Sequence, residues 1–318
     1  MTRELPKAGA PSPADLHFTY LGAAGWEITD GATTLFLDPF FSRIRYGGKG
    51  FGTSVSAFAP GDTRQIFGPD DVLVSDTSTI DARVSRADVI LLSHSHFNHC
   101  MDVPYIARKT GATVIGSESV INIVRAGGIF PEKLITVKGG EDYQFSNFSI
   151  RVIPSLHSAL ACKCYFEAGG VPRDVEFPLR MRDYLEGGTF SYLVRMGGRT
   201  ILAFGSMNYI EREIEGLRPD IVLLAAARPR REIFDYSGRA MRALGQPPAV
   251  LATHWDVQSF PYGASQDTAR KEAVLFSEEV VAASPNTQVA IPEHFETYVL
   301  SGASRQVKLE RLTEADSR

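Results

Sequence analysis

Asp88-Val89-Ile90-Leu91-Leu92-Ser93-His94-Ser95-His96-Phe97-Asn98-His99-Cys100 places three histidines within six residues, directly behind an apolar run. The run reads as a short buried strand. Met101-Asp102-Val103-Pro104 and the residues up to Gly111 read as a helix with a glycine stop, and Ala112-Thr113-Val114-Ile115-Gly116 reads as a second apolar strand. The unit is therefore β-α-β, with the histidines on the strand-to-helix loop, where α/β proteins place their sites. Imidazoles two apart on an extended segment point the same way, and a third at the start of the next helix can converge on them. A neutral imidazole cluster of this kind suits a borderline metal such as zinc. The competing reading is a His-rich surface turn or a set of satisfied core histidines; a lone histidine would favour it, whereas three together favour the metal.

Upstream, residues 17–40 read as a meander. Phe18 and Tyr20 alternate, a Gly-rich bend leads to Trp26 and Ile28, Asp30-Gly31 turns the chain, and Leu35 to Leu37 closes on Asp38-Pro39. A long loop follows to about Pro69, mixing Gly47, Gly48, Gly50 and Gly52 with Tyr46 and Phe51; loops of this length in compact domains are usually functional or disordered. Downstream, a helix at 117–126 precedes strands near 134–137, 148–154 and 190–196. The second half continues with strands at 200–204, 220–224 and 249–253, helices near 209–217, 236–244 and 266–282, and terminal strands near 288–291 and 295–300. Meander strands mixed with βαβ units predict the layered α/β class, sheets covered by helices. The expected organisation is an N-terminal arm at 1–16, one domain at 17–302 and a C-terminal tail at 303–318.

The chain's 318 residues, with 44% hydrophobic and 22% charged, can build a large core. Lys plus Arg number 33 against 37 Asp plus Glu, so the net charge of -4 lacks the excess positive charge that generic phosphate-backbone binding needs, and no nucleic-acid partner is expected. Cys100, Cys162 and Cys164 are an odd number, the last two too close for an ordinary loop-closing disulfide, and they read as small buried hydrophobes in a reducing compartment. Without an apolar leader or an integral membrane segment, the expectation is a cytoplasmic protein. Association into a homo-oligomer stays open.

The motif His94-Ser-His96-Phe-Asn98-His99 at a strand end resembles that of the metallo-β-lactamase fold superfamily, whose signature is His-x-His-x-Asp-His. The resemblance runs from about Phe18 to Leu300 and implies a four-layer αβ/βα sandwich. It implies that His94, His96 and His157 hold a first metal ion, that His99 and His254 belong to a second position, and that Asp38 supports the histidine loop. His294, near the C-terminal strand, is a second candidate for support. The stretch before Ile201 is most similar to the branch of ascorbate-6-phosphate lactonases and N-acylphosphatidylethanolamine phospholipases D. The implied activity is hydrolysis of an ester, lactone or phosphodiester bond by a metal-bound hydroxide.

Two departures fall on the second metal position. Asn98 stands where the signature has Asp, and Ser206, after Gly205, stands where the family carries a bridging carboxylate. Neutral ligands hold a divalent cation far less well than carboxylates, so one firmly bound zinc ion and a weak second site are expected, with manganese or iron remaining open. Asn98 is then part of a working single-metal site, the mark of a member that has lost hydrolysis and binds a ligand or partner in the same cleft, or a silencing replacement of Asp, a reading that Ser206 tempers. Asn98 can orient a water but cannot accept its proton, which leaves His254 as the candidate base. Tyr46, Phe51, Arg180, Arg182 and Tyr184 are the candidate walls of a pocket for a small-molecule substrate, anionic with an apolar part.

Overall fold

The computed structural model describes residues 14–47, 58–160, 163–301 and 307–312. Phe51, Cys162, residues 1–13 of the expected arm and most of the expected tail lie outside the described residues. The chain forms an eight-stranded and a seven-stranded sheet. The first runs, in spatial order, Leu309–Arg311, Thr297–Leu300, Leu16–Gly22, Gly25–Thr29, Thr34–Leu37, Val89–Leu91, Thr113–Gly116 and Leu134–Thr136. The second runs Gln288–Ala290, Ala249–Thr253, Ile221–Ala225, Arg199–Phe204, Phe190–Met196, Ser149–Pro154 and Asp142–Gln144.

Period-two alternation sends each strand's side chains to two different cores. On Thr34–Leu37, Leu35 and Leu37 enter the core between the sheets, while Phe36 enters the core under the helices. Val89 and Leu91 divide from Ile90 in the same way. The inter-sheet core joins Phe18, Trp26 and Ile28 to Val152, Tyr192 and Val194 of the opposite sheet. Outside the first sheet, Ile106, Ile123 and Val124 of helices Val103–Thr110 and Glu118–Ala126 pack on Ile90 and Val114. Outside the second, Met241 and Phe276 of helices Tyr236–Ala243 and Asp267–Ala283 complete the fourth layer. Each such fully buried apolar side chain contributes about 1.5–3 kcal/mol, which is what holds two twisted sheets face to face.

Thr34–Leu37, Val89–Leu91 and Thr113–Gly116 run parallel, as do Arg199–Phe204, Ile221–Ala225 and Ala249–Thr253. Their carboxyl ends, with that of Ser149–Pro154, deliver Asp38, the histidine loop, Gly205, His254 and His157. In open parallel sheets that edge is where ligands bind.

Several expectations need correcting. Leu309–Arg311, assigned to the tail, pairs antiparallel with Thr297–Leu300 and buries Leu309, so the domain extends past 302. The predicted helix near 209–217 is only the single turn Glu211–Ile214, because Gly216 at φ +77° and Pro219 stop it. Helix Thr77–Arg83, capped by Asp76, lies between the long loop and Val89–Leu91. Cys164 is exposed and lies outside any strand. No helix among the described residues is long and apolar enough to cross a membrane.

Candidate metal centre

His94, His96 and His157 bring one ligand nitrogen each to within 4.8 Å of one another, and all three are buried. The hydrogen bonds decide which nitrogen each ring presents. His157 Nδ1 is 3.0 Å from the Ser158 carbonyl and His96 Nε2 is 3.1 Å from the Phe166 carbonyl, so His157 Nε2 and His96 Nδ1 are left free. His94 Nδ1 is 3.0 Å from Ser93 Oγ, and its Nε2 is buried with no hydrogen-bond partner among the described residues. His99 Nε2 and His254 Nδ1 are orphaned in the same way. Buried polar atoms in proteins are almost always paired, so the orphaned nitrogen of His94, within the converging trio, fits a metal ion better than a protein partner, and those of His99 and His254, with rings 5.6 Å apart, lie beside one another.

Burial, with repulsion from His99 and the other imidazoles, holds His94 well below the ordinary histidine value; burial and His157 do the same for His96. Burial and His99 push His157 down to about 3 and His254 to about 4. The rings are therefore neutral at pH 7, as metal ligands must be. In the metal-free protein this has a signed consequence. Between the ordinary value and the depressed ones the unfolded chain binds more protons than the folded one, so stability falls as pH drops below ~6.5, by up to about 1.4 kcal/mol per pH unit for each imidazole. Denaturant unfolding of the chelated protein should show this loss between about pH 7.5 and about pH 5.5. Equal stability at both would mean that these rings titrate as in water.

Asp38 is hydrogen-bonded to the start of the histidine loop. Its Oδ1 accepts from Ser93 N at 2.8 Å, and its Oδ2 accepts from Ser93 Oγ at 2.6 Å and lies 3.1 Å from His99 Nδ1. Gly205 makes that geometry possible: a Cβ there would lie 1.9 Å from Ser93 Oγ and 2.6 Å from Asp38 Oδ2. Ser206, in the place of the family's bridging carboxylate, turns elsewhere: its Oγ accepts from Ser158 N at 2.9 Å and clamps the turn carrying His157. Asn98 Nδ2 donates to Gln258 Oε1 at 2.8 Å, and Gln258 Nε2 donates to the Tyr46 hydroxyl.

His254, at φ +49°, is fixed by its N–H to the Ala23 carbonyl at 2.7 Å and, two residues on, by Asp256. Fully buried Asp256 accepts from Tyr20 OH at 2.9 Å and Ala23 N at 2.8 Å, and meets Arg43 Nη1 at 2.7 Å and His294 Nε2 at 2.8 Å. Burial raises its pKa, but Arg43, His294 and Tyr20 outweigh that and hold it well below the usual carboxylate range. His294 thus acts on the loop of His254 through Asp256 and meets no other histidine. Asp256→Ala would strand the buried Arg43 guanidinium and should cost about 3–5 kcal/mol in denaturant unfolding; a loss under about 1 kcal/mol would show the ion pair to be dispensable.

Other expected residues are not brought to the histidines. Arg180 and Arg182 are exposed, and Arg182 pairs with Asp70 at 2.6 Å on the outer surface. Tyr184 is buried in the helix-side core. None of the three walls the histidine cluster. Phe166 does, its ring 5.6 Å from that of His96. Tyr46 is buried and meets Gln258 through its hydroxyl. Cys100 is fully buried in the helix-side core, where burial pushes its thiol up. His17 pairs within the first sheet, opposite Val299 and Thr29. Sequence reasoning missed Asp256, Arg43, Gln258 and Phe166.

The chain is 26% identical over 218 residues to a UPF0173 metal-dependent hydrolase of Heliobacterium modesticaldum, a match covering 66% of this chain and 70% of that one. Among solved structures, it is similar to Igni18, a metallo hydrolase of Ignicoccus hospitalis, at 14% identity and a TM-score of 0.55, covering 91% of this chain and 99% of the other. It is equally similar to CmlA, a diiron beta-hydroxylase of Streptomyces venezuelae, at 14% identity and a TM-score of 0.55, covering 92% and 55% of the two chains. At such identities the structural likeness is one of fold. The model of the beta-lactamase superfamily domain matches residues 17–241, a span that holds Asp38, the whole histidine loop and His157. By that match the chain belongs to the beta-lactamase superfamily.

Proposed function

We propose that the protein is a single-metal hydrolase of a small ester, lactone or phosphodiester. The observation that carries this reading is the trio His94, His96 and His157, neutral, buried and with converging ligand nitrogens. Relatives named as metal-dependent hydrolases support the reaction type. His94 Nε2, His96 Nδ1 and His157 Nε2 would hold the ion, zinc being the first candidate for a three-imidazole set. Bound there, such an ion supplies Lewis-acid polarisation of the scissile group and an acidified water.

The rest is the work of the chain. The Ser158 and Phe166 carbonyls fix the tautomers of His157 and His96, and Phe166 keeps bulk water off the His96 side. Asn98 would orient a nucleophilic water through an amide that cannot take its proton. His254 is neutral and can accept that proton, although its depressed pKa makes it a weak base. His254→Gln should therefore lower kcat by on the order of 10²-fold; an unchanged kcat would remove it from the proton path. Arg180 and Arg182, on the outer surface, lend no support to an anionic substrate.

Asn98 and Ser206 are both neutral and both engaged with protein partners, which supports a weak second position beside His99 and His254. Elemental analysis should find close to one transition-metal ion per chain, rising towards two in Asn98→Asp, where a second anionic ligand appears. Two tightly held ions in the unaltered protein would overturn the single-metal reading. The metal-loaded protein should turn over at least one member of a panel of activated esters, lactones and phosphodiesters; inertness to the whole panel would overturn the hydrolase reading.

A further inference from the structure

We propose that Gln258 is the positioning residue for Asn98, holding its amide so that the carbonyl oxygen is the atom offered to the histidine-lined cleft. This rests on the hydrolase reading only for its catalytic consequence. The two side chains come from opposite halves of the fold, 160 residues apart, and meet through Asn98 Nδ2 and Gln258 Oε1 at 2.8 Å. Gln258 stands on the loop that also carries His254 and Asp256, so its backbone is held by the buried Arg43–Asp256 pair. The far end of its amide is used as well, Nε2 donating to Tyr46, whose ring packs edge-on against Phe97. Turned over alone, the Gln258 amide would stay bonded to the Tyr46 hydroxyl, which donates as well as accepts, but would set its Nε2 against Asn98 Nδ2 and lose that bond.

Asn98 is 6% exposed, and its Oδ1 accepts no hydrogen bond among the described residues. With Nδ2 taken, the oxygen is the free end. An asparagine amide turned the other way would present hydrogens to an ion held by the imidazoles, the wrong polarity for a cation. Gln258 selects between the two orientations because at this contact it acts as an acceptor. An unconstrained asparagine would sample both.

Three variants of the full chain, made singly and as one pair, test this. Gln258→Met keeps length and removes the acceptor; Gln258→Glu keeps the acceptor and can still receive from both Asn98 and Tyr46; Asn98→Ala removes the group being positioned. Gln258→Met should lower kcat on the best substrate by roughly tenfold or more, with KM within about threefold, and Gln258→Glu should recover most of that loss. Independently of any substrate, the thermal midpoints should be coupled, the Asn98→Ala/Gln258→Met pair losing less than the sum of the single losses by about 2 °C or more. Additive midpoints, or Met and Glu variants that are alike in kcat, would overturn the proposal. Inertness of the unaltered protein to every substrate would sink the hydrolase reading instead, and the midpoints would still decide the role of Gln258.

Discussion

Replacing His96 by alanine should weaken metal binding by on the order of 10²–10³-fold and abolish measurable turnover. Structural zinc is held with about 10–16 kcal/mol over four ligands, so one ligand is worth roughly 3–4 kcal/mol, and each 1.4 kcal/mol is tenfold. His96 has no neighbour to replace it: its Nε2 is committed to the Phe166 carbonyl, and the other two nitrogens of the trio, from His94 and His157, already converge on the same spot. Competition against a chelator of known affinity measures the loss. A variant that holds the ion as firmly as the unaltered protein would place the metal elsewhere.

Gly205→Ala should be the most disruptive single methyl in the molecule. Its Cβ would sit 1.9 Å from Ser93 Oγ, 2.3 Å from Ser93 Cβ and 2.6 Å from Asp38 Oδ2, inside van der Waals contact with all three. Overpacking alone costs about 1–3 kcal/mol, and pushing Asp38 off Ser93 adds the cost of an unsatisfied buried carboxylate, so a total near 4 kcal/mol and a midpoint lower by roughly 8–16 °C are expected. The loss should extend to metal affinity, because Asp38 holds Ser93 Oγ, which lies 3.0 Å from His94 Nδ1. Thermal unfolding with and without metal tests both parts; a drop under about 2 °C would mean that the sheet edge yields at no cost.

What could be read from the sequence is what local pattern encodes. The apolar run before Ser93, the alternation of Leu35, Phe36 and Leu37, and the Gly stop at Gly111 each fix an element within a few residues, and the observed strand and helix ends agree closely with them. Three clustered histidines announced the chemistry for the same reason. Asp256, Arg43 and Gln258 gave no such sign: the contacts that join Asp256 to Arg43, Tyr20 and Ala23, and Gln258 to Asn98, span 160 or more residues, across the junction of the two halves, and nothing near them in sequence marks the pairing. Arg180, Arg182 and Tyr184 erred the other way. Arginines beside an aromatic look like a binding wall, but only the packing shows that Tyr184 turns into the core and Arg182 outward to Asp70.

Because His94 and His96 come from one half of the sandwich and His157 and His254 from the other, the ligand set is complete only when both sheets have formed and docked. During synthesis about half of the chain, up to His157, must emerge before the trio has its third imidazole, and about four-fifths before the loop of His254 can brace the site. A nascent or half-folded chain therefore has little power to capture metal, and acquisition of the ion is a late event that certifies assembly. Chelation should for the same reason loosen the seam between the halves before it loosens either half, with amide exchange rising first along Leu91–Ser93 and Phe204–Ser206.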